Sequence, residues 1–388
     1  MLVRGLAVAL FAAIAGGCAV RDFAVGDYYD RWFGSSSAIK PAELIAIKPT
    51  ATAKILWQAG VGGANRYVFS PLVNGGSVTA AGASGQITRF DAANGKVLAR
   101  FDSKARLSGG VGGDSRLILV GTAKGEVLAF DPSGKELWRA QLTSALLSAP
   151  QTDQGIVVVR TGDSRIFGLD ATTGARRWLF QRTLPALTVR TPVGVVLYRG
   201  GVFAGFPGGR LVALALNNGS VGWETAVALP KGATELERVV DVSSPPAIDG
   251  SQCCAVAFQG RAACFDLLKG TPLWARDISS IAGLAMDSRN VYVSDDKSAV
   301  VAFEKTNGAS QWKQDKLFGR HISGPIVVGR YVAVGDFQGY VHFMLREDGS
   351  FAARIATDGS AIAAQPVAID DGIVVQTRNG GIFAITIQ

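Results

Sequence analysis

The chain has 388 residues, of which 48% are hydrophobic and 18% are charged, and its formal net charge is +8. This composition excludes general disorder, because the chain carries enough apolar residues to bury a large core. The positive charges are spread through turns and form neither a basic helix nor an aromatic-rich basic patch, so no nucleic-acid partner is expected.

The first residues have the pattern of an export signal. Arg4 supplies the positive charge, and the apolar stretch at residues 6–15 is too short to cross a bilayer. A pair of glycines then precedes Cys18 in a pattern that resembles the bacterial lipobox, in which the cysteine is acylated after cleavage. The pattern predicts a signal peptide at residues 1–17 and lipid attachment, with palmitate among the acyl chains, at Cys18.

The residue after Cys18 indicates where the lipid anchor lies. Ala19 stands where the retention signal known in enteric bacteria has Asp, so we predict an anchor in the outer membrane with the protein facing the periplasm. More than one acyl chain on Cys18 would hold the protein stably at the membrane. An ordinary secretory signal, in which Cys18 has no role, stays open as the alternative.

A motif recurs along the rest of the chain: Gly, any residue, an apolar residue, two residues of any kind, an apolar and an acidic residue, then Gly and Trp. Successive copies lie about 40 residues apart, which is the length of four short strands with their turns. The sequence therefore predicts an all-β fold, a single eight-bladed β-propeller of four-stranded antiparallel blades. The copies begin at Gly85, Gly125, Ser164, Gly209, Gly260, Ser298, Gly339 and Gly380.

The two ends of the repeat region are predicted to form one blade together. The eighth copy stops at Gln388 before its Trp strand, while residues 54–60 near the N-terminus carry the missing Trp57. An N-terminal strand that joins the C-terminal blade would close the ring and remove two exposed sheet edges. We therefore predict a propeller over residues 51–388 and a lipidated tether over residues 18–50.

Three repeated positions are predicted to be structural. The apolar residue five positions after each start belongs to the core, the acidic residue bonds to backbone N–H groups of the following turn, and the Trp packs between blades. Ala99 and Ala353 stand where a Trp is expected, so those two contacts should be packed differently. The acidic residues are Asp91, Asp131, Asp170, Asp266 and Glu304, and the tryptophans are Trp138, Trp178, Trp223, Trp274 and Trp312.

The sequence offers little material for catalysis. It has two histidines, His321 and His342, and lacks the metalloprotease, hydrolase, P-loop and dinucleotide-binding motifs. We therefore predict no enzyme, no cofactor and no catalytic or metal-binding residue.

The remaining cysteines leave one alternative open. Cys253, Cys254 and Cys264 lie on two strands joined by a turn, where a bond between Cys254 and Cys264 and buried free thiols are equally expected. The Cys253-Cys254 pair resembles the adjacent disulfide of quinoprotein alcohol dehydrogenases, which hold pyrroloquinoline quinone and Ca²⁺ in a propeller with a related Trp repeat. A small periplasmic quinoprotein dehydrogenase is therefore the enzymatic alternative.

Two intervals between copies are longer than the rest. The interval from Ser164 to Gly209 is 45 residues and that from Gly209 to Gly260 is 51, with the extra residues after Trp178 and Trp223. Insertions in repeat proteins map to loops and often to the binding face. Both insertions join one blade to the next, so we predict that they lie side by side and bind a protein. The alternative is that they are merely long surface loops or fold back on the core.

In the predicted lipobox, the eight repeats, the closure and the stretch ELERVVDVSSPPAIDG at residues 235–250, the chain resembles the BamB family, the lipoprotein subunits of the β-barrel assembly machinery. The resemblance implies a non-catalytic scaffold that binds the POTRA domains of BamA, together with other subunits, and assists the folding and insertion of outer-membrane β-barrel proteins. Unfolded outer-membrane proteins are a further class of partner that it implies.

The resemblance also implies which residues touch the partner. The family's contact residues correspond here to Leu187, Val189 and Arg190 in the first insertion and to Asp241 in the second. Val189 replaces a Leu of the family pattern, and Ser243 stands where a second Asp is expected. The third reading is a generic envelope ligand-binding propeller with no such contact.

Overall fold

The computed structural model describes residues 40–370 and 372–388. The predicted signal peptide and the predicted lipid attachment at Cys18 lie outside these residues. Within them, the chain forms strands and turns, and no helix is long and apolar enough to span a membrane.

The strands are short and follow one another through the chain. They are β1 (Ala53–Gly60), β2 (Leu72–Asn74), β3 (Ser77–Ala81), β4 (Gln86–Asp91), β5 (Val97–Asp102), β6 (Leu107–Gly113), β7 (Ile118–Thr122), β8 (Glu126–Phe130), β9 (Glu136–Gln141), β10 (Gln151–Asp153), β11 (Ile156–Arg160), β12 (Ile166–Asp170), β13 (Arg176–Phe180), β14 (Val196–Tyr198), β15 (Gly201–Phe206) and β16 (Arg210–Ala215). They continue as β17 (Val221–Ala226), β18 (Asp241–Val242), β19 (Ala247–Asp249), β20 (Gln252–Phe258), β21 (Arg261–Asp266), β22 (Pro272–Asp277), β23 (Gly283–Met286), β24 (Asn290–Ser294), β25 (Val300–Glu304), β26 (Ser310–Gln314), β27 (Ile326–Val328), β28 (Tyr331–Gly335), β29 (Tyr340–Leu345), β30 (Phe351–Ala356), β31 (Val367–Ile369), β32 (Gly372–Gln376) and β33 (Gly381–Ile387).

These strands form eight antiparallel sheets, which are the blades of a β-propeller. Blades one to four are β2–β5, β6–β9, β10–β13 and β14–β17, and blades six and seven are β23–β26 and β27–β30. Blade five is β19–β22 and gains a fifth strand, because β18 also pairs with β20. The first strands of most successive blades contact each other around the centre of the ring. The predicted fold is confirmed.

The ring is closed by its two ends, as the sequence predicts. Blade eight consists of β31, β32 and β33 with β1 as its outer strand. The antiparallel register between β1 and β33 runs from Ala53 opposite Ile387 to Gly60 opposite Gly381. Closure therefore joins the first strand of the propeller to its last by an antiparallel ladder that has one irregularity, between Ile55 and Trp57.

The contacts between blades are built from the repeated tryptophans. Each donates its indole N–H to a backbone carbonyl of the next blade at 2.7–2.9 Å, and its ring packs on the turn glycine there. A side chain at Gly174, for example, would overlap the ring of Trp138. Where Ala99 replaces the Trp, the ring of Phe101 packs against Gly134 instead. Six tryptophans make the contact: Trp57, Trp138, Trp178, Trp223, Trp274 and Trp312.

The cysteines of blade five form one disulfide. Cys254 on β20 and Cys264 on β21 stand directly opposite each other and are bonded. Cys253 is a free, buried thiol that points to the other face of the sheet, and burial raises its pKa to about 12. A thiol in this state is protonated at neutral pH and poorly reactive.

The end of the predicted tether lies against blade seven. The Ala42 amide donates to the carbonyl of Phe318, and the amides of Thr50 and Ala51 donate to the carbonyl of Ala352 on β30. Leu44 packs against the apolar cluster between blades six and seven. Residues 42–52, here called the N-terminal segment, therefore cross the outer strand of blade seven before β1 begins.

A buried charged network holds the N-terminal segment. Arg320 donates to the Ala42 carbonyl at 3.1 Å, and Arg354 donates to the Ile45 carbonyl at 3.0 Å. Behind them, Asp336 accepts hydrogen bonds from Arg320 at 2.8 Å and from Nε2 of His342 at 2.9 Å. Arg320 is 3% exposed, while Asp336 and His342 are wholly buried. The pairing of these charges compensates their removal from water.

Candidate functional site

The two insertions occupy neighbouring positions in the ring. The first insertion, residues 181–195, joins β13 of blade three to β14 of blade four. The second insertion, residues 227–246, joins β17 of blade four to blade five and contains β18. Both are connections from the last strand of one blade to the first strand of the next, so they lie on the same face of the disc.

Asp241 links the two insertions. It lies on β18, is 3% exposed, and forms a bridge with Pro207. Its carboxylate accepts a hydrogen bond from the backbone amide of Val189 at 2.5 Å and another from that of Gly208 at 3.1 Å. The two insertions therefore lie side by side, and a direct hydrogen bond joins them.

A buried arginine accompanies this carboxylate. Arg160, the last residue of β11, donates to the carbonyl of Gly205 at 2.5 Å and lies over the ring of Phe206 at 5.0 Å. Burial lowers the pKa of Arg160 to about 10, and the charge of Asp241 acts against that decrease. Burial likewise raises the pKa of Asp241, against its two backbone hydrogen bonds and the charge of Arg160. The two buried groups therefore act on each other through their charges, which partly offset the cost of their burial.

The outer side of the first insertion presents a mixed surface. Leu187 is 41% exposed, Arg190 is exposed, and Val189 is half-buried between them. No ion pair of Arg190 is found with any residue in ranges 40–370 and 372–388. An exposed leucine beside an arginine available for pairing can bury apolar area and bind a carboxylate on a partner.

The second insertion adds to this surface. Leu229 and Leu236 are exposed, as are the charged side chains of Lys231 and Arg238. A capping turn orders the segment: the Thr234 hydroxyl accepts from the Glu237 amide at 3.2 Å, and the Glu237 carboxylate accepts from the Thr234 amide at 3.1 Å. The segment thus has a defined shape although its side chains face solvent.

The structure distributes the four predicted contact residues between two layers. Leu187, Val189 and Arg190 lie together on the first insertion, while Asp241 lies beneath them with both carboxylate oxygens occupied. Ser243 is also buried, and its hydroxyl donates to the carbonyl of Ser280 at 2.9 Å. The position at which the family pattern has a second Asp is therefore an internal one in this chain.

Sequence reasoning missed Arg160. The only local signal is a charged residue at the end of the otherwise apolar run of β11, Ile156–Arg160. All five residues of that strand are buried, so the arginine requires a partner charge within the fold. The sequence pattern does not identify that partner as Asp241, which is 81 positions away along the printed sequence.

The centre of the same face holds a cavity of about 400 Å³. Its walls include Asp295 and Asp296, but both carboxylates are engaged in the fold: Asp295 accepts from the amide of Ala299 at 2.7 Å, and Asp296 from that of Ile281 at 2.8 Å. Within the described part of the chain, no group of three or more His, Cys, Asp or Glu residues is arranged to hold a metal.

Comparison with known proteins finds closely similar sequences. The sequence family described as "Outer membrane protein assembly factor BamB" matches residues 83–314. The protein of that name from Nitrosomonas eutropha is 46% identical over 351 residues, which cover 90% of this chain and 86% of the relative. Its counterpart from Bordetella pertussis is 43% identical, with 89% and 90% covered.

Solved structures with the same architecture include both a BamB and a quinoprotein dehydrogenase. The crystal structure of BamB from Moraxella catarrhalis matches with a TM-score of 0.80 at 25% identity and covers 86% of this chain and all of that one. The quinohemoprotein alcohol dehydrogenase from Comamonas testosteroni matches with a TM-score of 0.70 at 12% identity, covering 86% of this chain and 76% of that one. The second likeness shows a shared fold alone.

Proposed function

The chain belongs to the BamB family of outer membrane protein assembly factors, and on this basis we propose that it is a non-catalytic subunit of the machinery that assembles outer-membrane β-barrels. In this proposal its partner is BamA, whose POTRA domains it binds through the two insertions, and other subunits and unfolded barrel proteins act in the same complex. The protein faces the periplasm and is anchored in the outer membrane through lipid on Cys18.

One observation carries the proposal for the site: the exposed pair Leu187 and Arg190 stands on a segment that Asp241 fixes from below. A contact surface binds more tightly when its side chains are already ordered, since less conformational entropy is then lost on binding. Leu187 and the half-buried Val189 supply apolar area, and Arg190 supplies a charge for an acidic group of the partner. Truncation of such an arginine costs about 2 kcal/mol or more.

The test is affinity capture from a detergent-solubilised envelope, with co-purifying proteins identified by mass. Wild type is compared with Arg190→Glu and with Arg176→Glu, which makes the same charge change at an exposed position at the start of β13, outside both insertions. We expect a barrel protein with POTRA domains to co-purify with wild type and with Arg176→Glu. Its recovery with Arg190→Glu should fall at least tenfold, with an unchanged circular dichroism spectrum.

The two parts of the proposal fail differently. Equal recovery with Arg190→Glu and wild type would reject the insertion as the contact while leaving the assembly role in place. Capture of no barrel protein by folded wild type would reject the assembly role itself. The protein would then be read as an envelope propeller with another ligand.

A further inference from the structure

We propose that Asp241 is a positioning residue: it joins the two insertions into one contact surface and does not itself touch the partner. The inference deepens the proposed function and rests on it for the identity of the partner. It starts from the burial of Asp241, since a side chain that is 3% exposed offers almost no area to another protein.

The acceptor capacity of the carboxylate is directed inward. One oxygen accepts from the Val189 amide and the other from the Gly208 amide. A charged carboxylate only accepts hydrogen bonds, so it suits a position where two backbone donors converge. Arg160 lies nearby as the compensating charge. A partner could therefore engage Asp241 only by breaking contacts that the free protein already makes.

The first insertion depends on this bond. Among residues 183–192, all of which the structure describes, the Val189 amide makes the one hydrogen bond that ties the segment to the rest of the chain. Leu187 and Arg190 flank that amide on either side. Loss of this hydrogen bond would therefore let Leu187 and Arg190, the two exposed side chains of the proposed contact, move away from their positions.

The other end of the link is rigid. Val242, next to Asp241 on β18, pairs with Ala257 of blade five and packs on Gly205 of blade four. A side chain at position 205 would overlap Val242, so β18 sits in a slot that only a glycine leaves open. The Asp241 carboxylate thus extends from a strand that is held between two blades. Its hydrogen bond to the Val189 amide therefore restricts the movement of the first insertion.

The first arm of the test uses the free protein and the variant Asp241→Asn. An asparagine keeps the size of the side chain but turns an NH₂ group toward one of the two amide donors. We expect hydrogen exchange of the Val189 amide, read from overlapping peptides within residues 183–192, to accelerate at least tenfold, while exchange in blade seven stays unchanged. Asp348→Asn, at an exposed turn of blade seven, is the matched control.

The second arm is a double-mutant cycle on partner affinity, with purified POTRA domains of the captured barrel protein as the probe. A positioning role predicts that Asp241→Asn and Arg190→Ala are not additive, because both remove the same contact. The double variant should then bind within about threefold of the weaker single variant. A direct contact by Asp241 predicts that the two losses multiply.

Each arm can overturn the proposal separately. Unchanged exchange at residues 183–192 would remove the link between the insertions, and multiplied losses of affinity would make Asp241 a contact residue. Failure of wild type to bind POTRA domains would reject the proposed function but not the link, since exchange is measured without a partner.

Discussion

The two insertions and the N-terminal segment are held on the propeller by related chemistry: in each case a buried aspartate lies near a buried arginine. Asp241 and Arg160 serve the insertions, and Asp336 and Arg320 serve the segment. The two aspartates differ in how many donors they meet. Asp241 accepts two backbone hydrogen bonds, whereas Asp336 accepts two from side chains and two more from the amides of Gln338 and Tyr340.

The difference appears in the direction of each pKa shift. Burial raises the pKa of Asp241 and its donors do not reverse the shift. Burial also acts to raise the pKa of Asp336, but the hydrogen bonds from His342, Tyr340 and Arg320 outweigh it and the pKa falls. The hydrogen bonds to Asp336 therefore stabilise its charged form more than those to Asp241 stabilise that residue's charged form. We expect Asp336 to contribute more to the stability of the fold than Asp241.

The largest expected effect is on the N-terminal side. Asp336→Ala leaves Arg320 and two backbone amides without their acceptor in a dry environment, so we expect the free energy of unfolding to fall by about 3–5 kcal/mol. Urea unfolding followed by tryptophan fluorescence measures it. Asp348→Ala, at an exposed turn, should change stability by less than about 1 kcal/mol and serves as the control.

A smaller loss is expected on the insertion side. Asp241→Ala removes the acceptor for two amides and the partner charge of Arg160, and we expect a loss of about 1–3 kcal/mol in the same measurement. The comparison between the two sides predicts that this loss is smaller than that of Asp336→Ala. Equal losses for the two variants would contradict this prediction. They would mean that Asp241 contributes as much to the stability of the fold as Asp336 does.

On the N-terminal side, a pH dependence of stability is expected from His342. Arg354 donates to Nδ1 of His342, so the neutral ring carries its proton on Nε2 and donates it to Asp336. Burial, with Arg354 and Arg320 nearby, lowers the pKa of His342 despite the opposing charge of Asp336. Below about pH 6.5, His342 binds a proton in the unfolded chain more readily than in the folded protein. The free energy of unfolding therefore falls as the pH falls.

The variant His342→Gln isolates this effect. Glutamine can donate to Asp336 and accept from Arg354 as the neutral ring does, but it does not titrate. Between pH 6.5 and 5.5 we expect wild type to lose up to about 1.4 kcal/mol relative to this variant. Parallel stability curves for the two proteins over that range would show that His342 takes up its proton without cost.

The fold could be predicted from the sequence because each blade repeats the same local chemistry. The Trp at the fixed position finds a carbonyl and a turn glycine in the next blade, as Trp178 finds Leu216 and Gly219. Each such contact joins one repeat to the next, so the repeat motif contains both the Trp and the turn glycine that it contacts. The unequal spacing of the copies likewise locates the two insertions and makes them neighbours.

The sequence does not predict that Asp241 is buried beneath the other three contact residues. Asp241 is buried because β18 pairs with β20 and packs against Gly205, and among the described residues no other blade has a fifth strand of this kind. Most of the N-terminal segment falls in the range predicted as a tether, but the segment is bound to the propeller, because Arg320 and Arg354 from the far end of the chain donate to its backbone carbonyls. Contacts of this kind depend on the closed ring and leave no local pattern.

The smallest effect on stability is expected where the effect on binding is largest. Arg190 and Leu187 are both exposed, and neither supports another element, so Arg190→Ala and Leu187→Ala should each change the free energy of unfolding by less than about 0.5 kcal/mol. Urea unfolding beside Asp241→Ala measures the contrast within one surface. A loss as large as that of Asp241→Ala would mean that Arg190 is committed to the fold, and an arginine so committed would not be available to a partner.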